Sequence, residues 1–260
     1  MTKSQIRSYF QKLNDLNEEQ KLYLEIHAKR FEIILNWSNN KNFSSVLDIG
    51  PSFLSELLFA RFNEKLSIMG FNATESLGGH LASPNIFKQA NFIQQDLNFL
   101  DAKMLHQKFD LIVCAEVIEH LYTSPKCLIQ QLSQMLNADG YLLIQTPNAV
   151  SLRKRLSFLT GKNPFEIPRE NLKNPGHYRE YTAKELKQLA AQSGFTVEKL
   201  ILDEYFEYPS TISRIYRTFK NIIPPTLRSG ITIILKKEPH PQSFSEGEGS
   251  VGEETAEREA

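Results

Sequence analysis

Glu116, Glu119 and His120 crowd into one short stretch, directly after Phe109-Asp110-Leu111-Ile112-Val113-Cys114-Ala115. Phe109 to Val113 is an apolar run of the kind buried in parallel sheets. The carboxyl ends of such strands are where ligands sit. Two carboxylates and an imidazole placed there can move protons to and from a reacting group. Their i, i+3, i+4 spacing also puts them on one face if the segment is helical. With His177 further along, Glu116, Glu119 and His120 could then hold one divalent cation. Such a cation would orient acceptor hydroxyls and lower their pKa.

Acids recur at other strand ends. Val46-Leu47-Asp48-Ile49-Gly50 reads as a strand, an acid, and a glycine that opens a helix. Glycine lets a ligand approach the backbone, and a helix N-terminus offers free N–H groups. A dinucleotide site would carry G-x-G-x-x-G. The chain has Gly50-Pro51-Ser52-Phe53-Leu54-Ser55 instead, which suits a ligand with a ribose and an amino-acid end better than a pyrophosphate. Asp96 ends a further strand. Strand ends of a parallel sheet converge on one edge, so Asp48, Asp96 and Glu116 are expected to line one crevice.

The elements that must position these groups follow from pattern. Asn17 and Gln20 form a capping-box signal for a helix reaching about Trp37. Strands are expected at Ser45–Gly50, Leu66–Phe71, Phe92–Asp96, Phe109–Cys114, Tyr141–Thr146, Phe195–Asp203 and Ile231–Leu235. Helices are expected at Ser52–Phe62, Pro125–Leu136, Leu152–Leu159 and Thr182–Gln192, with a turn at Asn137–Gly140. Strand–helix alternation predicts a doubly wound, Rossmann-like α/β sheet with helices on both faces. Gly161 to Gly176 is a long loop, and such loops are usually lids or binding loops. Ser210–Leu227 alternates Ile212, Ile215, Tyr216, Phe219, Ile222 and Ile223 with Arg214, Arg217 and Lys220. A core helix with snorkelling cations is the favoured reading, and a helix lying on an anionic bilayer is the other.

The 260 residues carry 30 basic and 30 acidic side chains, so the chain as a whole is no polyanion binder. Arg153, Lys154, Arg155, Lys162 and Arg179 nonetheless predict a basic rim, and with it an acidic or phosphorylated partner. Residues 238–260, rich in Glu, Gly and Ser, are expected to be disordered. Cys114 and Cys127 make neither a disulfide framework nor a zinc cluster. With no apolar leader and no span-length apolar run, the cytoplasm is the default expectation, with peripheral membrane contact left open.

Taken together, Val46-Leu47-Asp48-Ile49-Gly50, Gln95-Asp96-Leu97, Phe109 to Leu121 and Gly140-Tyr141-Leu142-Leu143-Ile144-Gln145-Thr146-Pro147-Asn148 resemble the class I S-adenosylmethionine-dependent methyltransferases. The match runs from about Ser44 to Ile201. His177-Tyr178-Arg179-Glu180-Tyr181-Thr182 and Glu185-Leu186 are similar to small-molecule members of that family. The resemblance implies a seven-stranded, mostly parallel sheet with one antiparallel strand and S-adenosyl-L-methionine bound across its carboxyl edge. It implies a helical cap over residues 1–43, a methyltransferase domain over 44–237 and an acceptor-side lid over 161–181.

By position, Asp48, Gly50 and Ser52 would approach the methionine end. Asn72 stands where the family carries the ribose-binding acid, with Glu75 as a substitute. Asp96 and Leu97 would meet the adenine, and Cys114 and Glu116 the sulfonium. His120, His177 and Glu116 are candidate proton acceptors. Some methyltransferases of ubiquinone precursors and of small-RNA ends share a Glu-x-x-Glu-His arrangement with a later His, where Mg²⁺ is held. The activity implied is methyl transfer to a small-molecule, glycan or lipid-linked acceptor at a hydroxyl oxygen. An RNA-end methyltransferase is a rival, against which no aromatic-and-basic stacking platform is visible. A cofactor-binding protein that has lost activity is another, motivated by the missing glycines and Asn72.

Overall fold

The computed structural model describes residues 1–12, 16–71, 85–170, 176–206, 216, 218–219 and 221–239. Val46–Ile49 (β1) is buried along its whole length, because it is paired on both sides and covered on both faces. Leu66–Gly70 (β2) and Asn91–Gln94 (β3) lie to one side of it, and Phe109–Ala115 (β4) and Leu136–Pro147 (β5) to the other. These five strands are parallel. Gly230–Lys237 (β7) runs antiparallel between β5 and Phe195–Asp203 (β6), giving the order β3-β2-β1-β4-β5-β7-β6. The expected seven strands, one of them reversed, are therefore present.

Side chains alternate along each strand and feed two cores. One face holds Leu47, Ile49, Ile112, Cys114, Leu142 and Ile144 with residues of Pro125–Gln134 (α5) and Ala183–Ala191 (α7). The other holds Val46, Ile68, Leu111, Val113 and Leu143. It is covered by Lys3–Gln11 (α1), Glu18–Ser38 (α2), Phe53–Phe62 (α3) and the single turn Ile86–Gln89 (α4). Leu152–Leu159 (α6) buries no residue at all. Capping boxes open α1 (Thr2, Gln5), α2 (Asn17, Gln20), α3 (Ser52, Ser55) and α7 (Thr182, Glu185).

Three expectations need correction. The helix over Pro125–Leu136 stops at Gln134, and the residues expected as a turn belong to β5. Asp139 takes φ 59°, and the β4–β5 register shifts between Phe109 and Leu111, so the strand absorbs the irregularity as a bulge. The third strand ends at Gln94, leaving Asp96 outside it. Phe219 and Ile222, expected to face a core, are 53% and 79% exposed. Residues 210–215 and the tail from 240 onward lie outside the described residues, as do Asn72 and Glu75.

Strand order reverses between β1 and β4. In open α/β sheets that reversal opens a crevice at the carboxyl edge. Asp48, Gly50 and Glu116 all fall there.

Candidate functional site

At the end of β1 the chain turns through Gly50, whose φ of 79° belongs to the left-handed region. A side chain there would also collide with Val117, since a Cβ would lie 2.6 Å from its Cγ2. Ser52 then caps α3, accepting from the Leu54 N–H, while Ser55 Oγ accepts from the Ser52 N–H and donates to Asp48 Oδ2 at 2.6 Å. Two serines thus do the turn's work that further glycines would do. Phe53 and Leu54, the residues that could crowd a ligand, turn away from the edge. Phe53 meets Phe10 and Tyr23, and Leu54 is buried in the same core. Asp48 is 1% exposed, and burial pushes its carboxyl up to about 7 against the opposing pull of Ser55 and Arg30.

Arg30 is the cation of this crevice. It comes from α2, is 2% exposed, and donates to Tyr23 Oη (2.8 Å), His27 Nδ1 (2.9 Å) and Gln145 Oε1 (3.3 Å). Its charge reaches Asp48, Glu116 and Glu119. Gln145 completes the frame, donating to Thr232 Oγ1 and to the Arg30 carbonyl.

At the end of β4, Glu116 sits at φ 56°, a sparsely populated conformation for a residue with a Cβ. Its N–H is held by the Gln145 carbonyl at 2.7 Å. Ile118–His120 then forms one 3₁₀ turn, so the condition for a shared α-helical face of Glu116, Glu119 and His120 is not met. Glu119 is fully buried and accepts from Thr146 Oγ1 at 2.9 Å. Glu116 Oε1 and Glu119 Oε1 are both shut from solvent without a hydrogen-bond partner. Burial raises both carboxyls, and the Glu116 charge raises Glu119 further; Arg30 pulls both back.

His177 reaches this point because Tyr178 and Arg179 donate their N–H groups to the Glu119 carbonyl at 2.8 and 3.2 Å. His120 and His177 meet edge to face, ring centroids 4.7 Å apart. His120 Nδ1 lies 3.0 Å from the Gly176 carbonyl, which can only accept, so Nδ1 carries the proton and Nε2 the lone pair. His177 Nδ1 lies 3.3 Å from Glu180 Oε1, and Glu180 is also bound by Lys154 Nζ. Burial lowers both imidazoles, His177 to about 4, and lowers Lys154 to about 8. Donor atoms of Glu119, His120 and His177 all lie within 4.8 Å of one another. Glu116 stands outside that trio.

Residues 18–200 match the family model described as a methyltransferase domain. The chain belongs to that family. Its fold is that of a class I S-adenosylmethionine-dependent methyltransferase domain. A Mycolicibacterium smegmatis protein named as a probable S-adenosylmethionine-dependent methyltransferase is 31% identical over 101 residues. That stretch is 39% of this chain and 34% of the relative, so the match spans about a third of the relative's length. Among solved structures, a Bacillus halodurans protein carrying a methyltransferase name superposes with TM-score 0.55 at 15% identity, over 81% of this chain and 100% of that one. An S-adenosylmethionine-dependent methyltransferase of Archaeoglobus fulgidus gives 0.52 at 18% identity, over 80% and 94%.

The methyltransferase crevice suits the cofactor chemically. Among the described residues, Arg30 and Lys154 are the cations whose charge reaches Asp48, Glu116, Glu119 and Glu180. A ligand bearing a sulfonium and an ammonium supplies the missing positive charge, and its carboxylate suits Arg30. Asp96 caps the turn Leu97–Phe99 through Oδ1, leaving Oδ2 without a hydrogen bond among the described residues, and Leu97 is buried beside it. Cys114 is a core residue whose thiol burial raises. Sequence reasoning missed Arg30, Tyr23, Ser55, Thr146 and Glu180. Of the expected basic rim, Lys154 is taken by Glu180 and Arg179 by Glu185, while Arg153, Arg155 and Lys162 stay on the surface.

Proposed function

We propose that this domain transfers the methyl group of S-adenosylmethionine to a hydroxyl oxygen of a small-molecule, glycan or lipid-linked acceptor. The observation that carries the reading is the imidazole pair. Both Nδ1 atoms are engaged by oxygen and neither Nε2 makes a hydrogen bond among the described residues, on a segment pinned to Glu119. When bound, the cofactor supplies an electrophilic methyl on a good leaving group. Asp48 and Gly50 would hold its amino-acid end together with Arg30, Asp96 and Leu97 its adenine, and Glu116 would offset the sulfonium charge. The protein's remaining work is to orient the acceptor and take its proton.

His177 is neutral above about pH 4, so it can accept that proton throughout the neutral range. A base that weak suits an acidic hydroxyl, such as a phenol, better than an alkanol. Glu180 keeps its Nδ1 protonated and so fixes which nitrogen accepts. Residues 161–170 and 176–181 would form the acceptor-side lid, with 171–175 of that expected lid outside the described residues, and α1–α2 would form the cap of the crevice.

Labelled methyl transfer into a cell extract, followed by product identification, tests the reading. With the product as assay, His177→Ala is expected to lower kcat by about 10²–10⁴-fold while S-adenosylhomocysteine binding stays within twofold of wild type. Equal loss of binding and turnover would make His177 architectural. Absence of S-adenosylhomocysteine binding at millimolar ligand would favour an inert scaffold.

One observation favours a second reading. Glu119, His120 and His177 converge, and each imidazole has an oxygen behind its Nδ1, the arrangement that orients metal-bound histidines. A divalent cation on these three would lower the pKa of an acceptor hydroxyl. Two imidazoles and one carboxylate suit a transition ion better than Mg²⁺. Turnover that survives chelation, with no ion retained on dialysis, would remove it.

A further inference from the structure

We infer that α6 and the loop after it rest on the surface of an anionic bilayer. The polarity of α6 is inverted. The residue it turns inward is Lys154, whose Nζ bonds Glu180 and, at 3.2 Å, the Asn148 carbonyl. The opposite side carries Leu156 and Leu159, with half-buried Leu152 at the start of the same stripe. Leu156 is 53% exposed and Leu159 83%. The following loop adds Ile167, 80% exposed, whereas Phe165 packs on Phe158 at 5.8 Å and against the Lys154 ammonium, on the inward side.

Cations rim this surface. Arg153 and Arg155 flank the leucine stripe and Lys162 follows it; all three are exposed and form no ion pair among the described residues. The acid nearest the apolar loop residues, Glu166, is engaged by Arg169 at 2.6 Å. Leucines in the middle with arginine and lysine at the edge is the pattern of helices that lie in a membrane interface. Anionic headgroups neutralise such a rim. A second copy of the same face would set the same cations against one another across a two-fold contact. No described helix is long and apolar enough to cross a membrane, so the contact is peripheral.

The location gives the contact a purpose. Lys154 links α6 to Glu180, and Glu180 bonds His177, so a bilayer against the leucine stripe lies behind the acceptor side of the crevice. A lipid-linked acceptor would then reach the imidazoles from the interface. That purpose rests on the lipid-linked version of the proposed function, whereas the docking does not; vesicle binding is read with neither cofactor nor acceptor present.

The test is flotation of the full chain with vesicles of phosphatidylcholine alone or mixed with phosphatidylglycerol. Binding to the mixed vesicles, weakened by salt and lost on the neutral ones, is expected. Leu156→Asp with Leu159→Asp should reduce partitioning roughly tenfold or more. Arg153→Gln with Arg155→Gln should reduce it about thirtyfold, since each cation near such a surface is worth about a factor of five. Both double variants should keep wild-type circular dichroism and S-adenosylhomocysteine affinity, because none of the four side chains touches the crevice. Failure to bind mixed vesicles, or variants that bind unchanged, would overturn the proposal. So would a wild-type dimer in light scattering that Leu159→Asp converts to monomer, which would assign the face to a second copy.

Discussion

At the end of β1, Asp48, Ser52 and Ser55 bond to one another and to the first turn of α3. One strand away, at the end of β4, Glu116 and Glu119 each leave an oxygen buried without a partner, and Glu116 is held at a positive φ. The two ends share a crevice and a guanidinium, Arg30, but they store free energy differently. The first is a finished turn whose geometry exists before any ligand arrives. The second is under-compensated in charge, as a wall is when its last counter-ion comes with the ligand. Arg30 is what keeps the second end tolerable in the meantime.

The largest effect is therefore expected from Arg30→Ala. Removing one partner of a buried charge cluster costs about 3–5 kcal/mol, read as a loss in urea unfolding at pH 8. The loss should shrink at pH 5. Burial already raises the Glu116 and Glu119 carboxyls, and without Arg30 they take protons more readily still, which removes the charge that needed compensation. A loss independent of pH would mean that Arg30 acts through packing and its bonds to Tyr23 and Gln145, and the contrast between the two ends would dissolve.

Ser55→Ala probes the finished end. Asp48 holds a proton up to about pH 7 in the folded chain and loses it near the ordinary carboxylate range when unfolded. Between those values the folded state binds more protons, so this group's contribution to stability falls as pH rises and levels off above about 7. Loss of the Ser55 hydroxyl raises Asp48 further and extends the falling limb to higher pH. The substitution should cost about 1 kcal/mol at pH 5 and about 2 at pH 8, as bonds to neutral and charged groups differ. Thermal unfolding across pH measures it, and a flat cost would show that Asp48 is not the charge being held.

The contrast also explains what could be read without coordinates. The seven strands and several helix starts were legible because each rests on local signals: buried apolar runs, and capping pairs such as Asn17–Gln20 and Thr182–Glu185. Asp48 and Glu116 were legible because strand ends converge by topology. Arg30 was not, since it lies mid-helix, 115 residues from its partner Gln145, and reads like any surface arginine. Glu180 was quoted within a motif, yet its role depends on Lys154 and His177 meeting in space. The face that Glu116, Glu119 and His120 would share in an α-helix is absent because the chain turns at φ 56° at Glu116 and continues as a 3₁₀ turn, for which the sequence gives no warning.

The smallest effect separates the two ends by titration. If Asp48 faces the ligand's ammonium, S-adenosylhomocysteine binding favours the ionised carboxyl, and affinity should rise with pH until about 7 and then level. The rise is at most about tenfold per pH unit for one proton. Asp48→Asn should flatten that limb, whereas Glu116→Gln should leave its inflection in place, because S-adenosylhomocysteine has no sulfonium charge for Glu116 to meet. His177 does not obscure the measurement, since it loses its proton near pH 4, well below the window. Calorimetric titration from pH 5.5 to 8.5 reads the profile. A wild-type limb that persists in Asp48→Asn and vanishes in Glu116→Gln would exchange the roles of the two strand ends. The preformed turn would then be structural, and the amino-acid end of the ligand would belong beside β4.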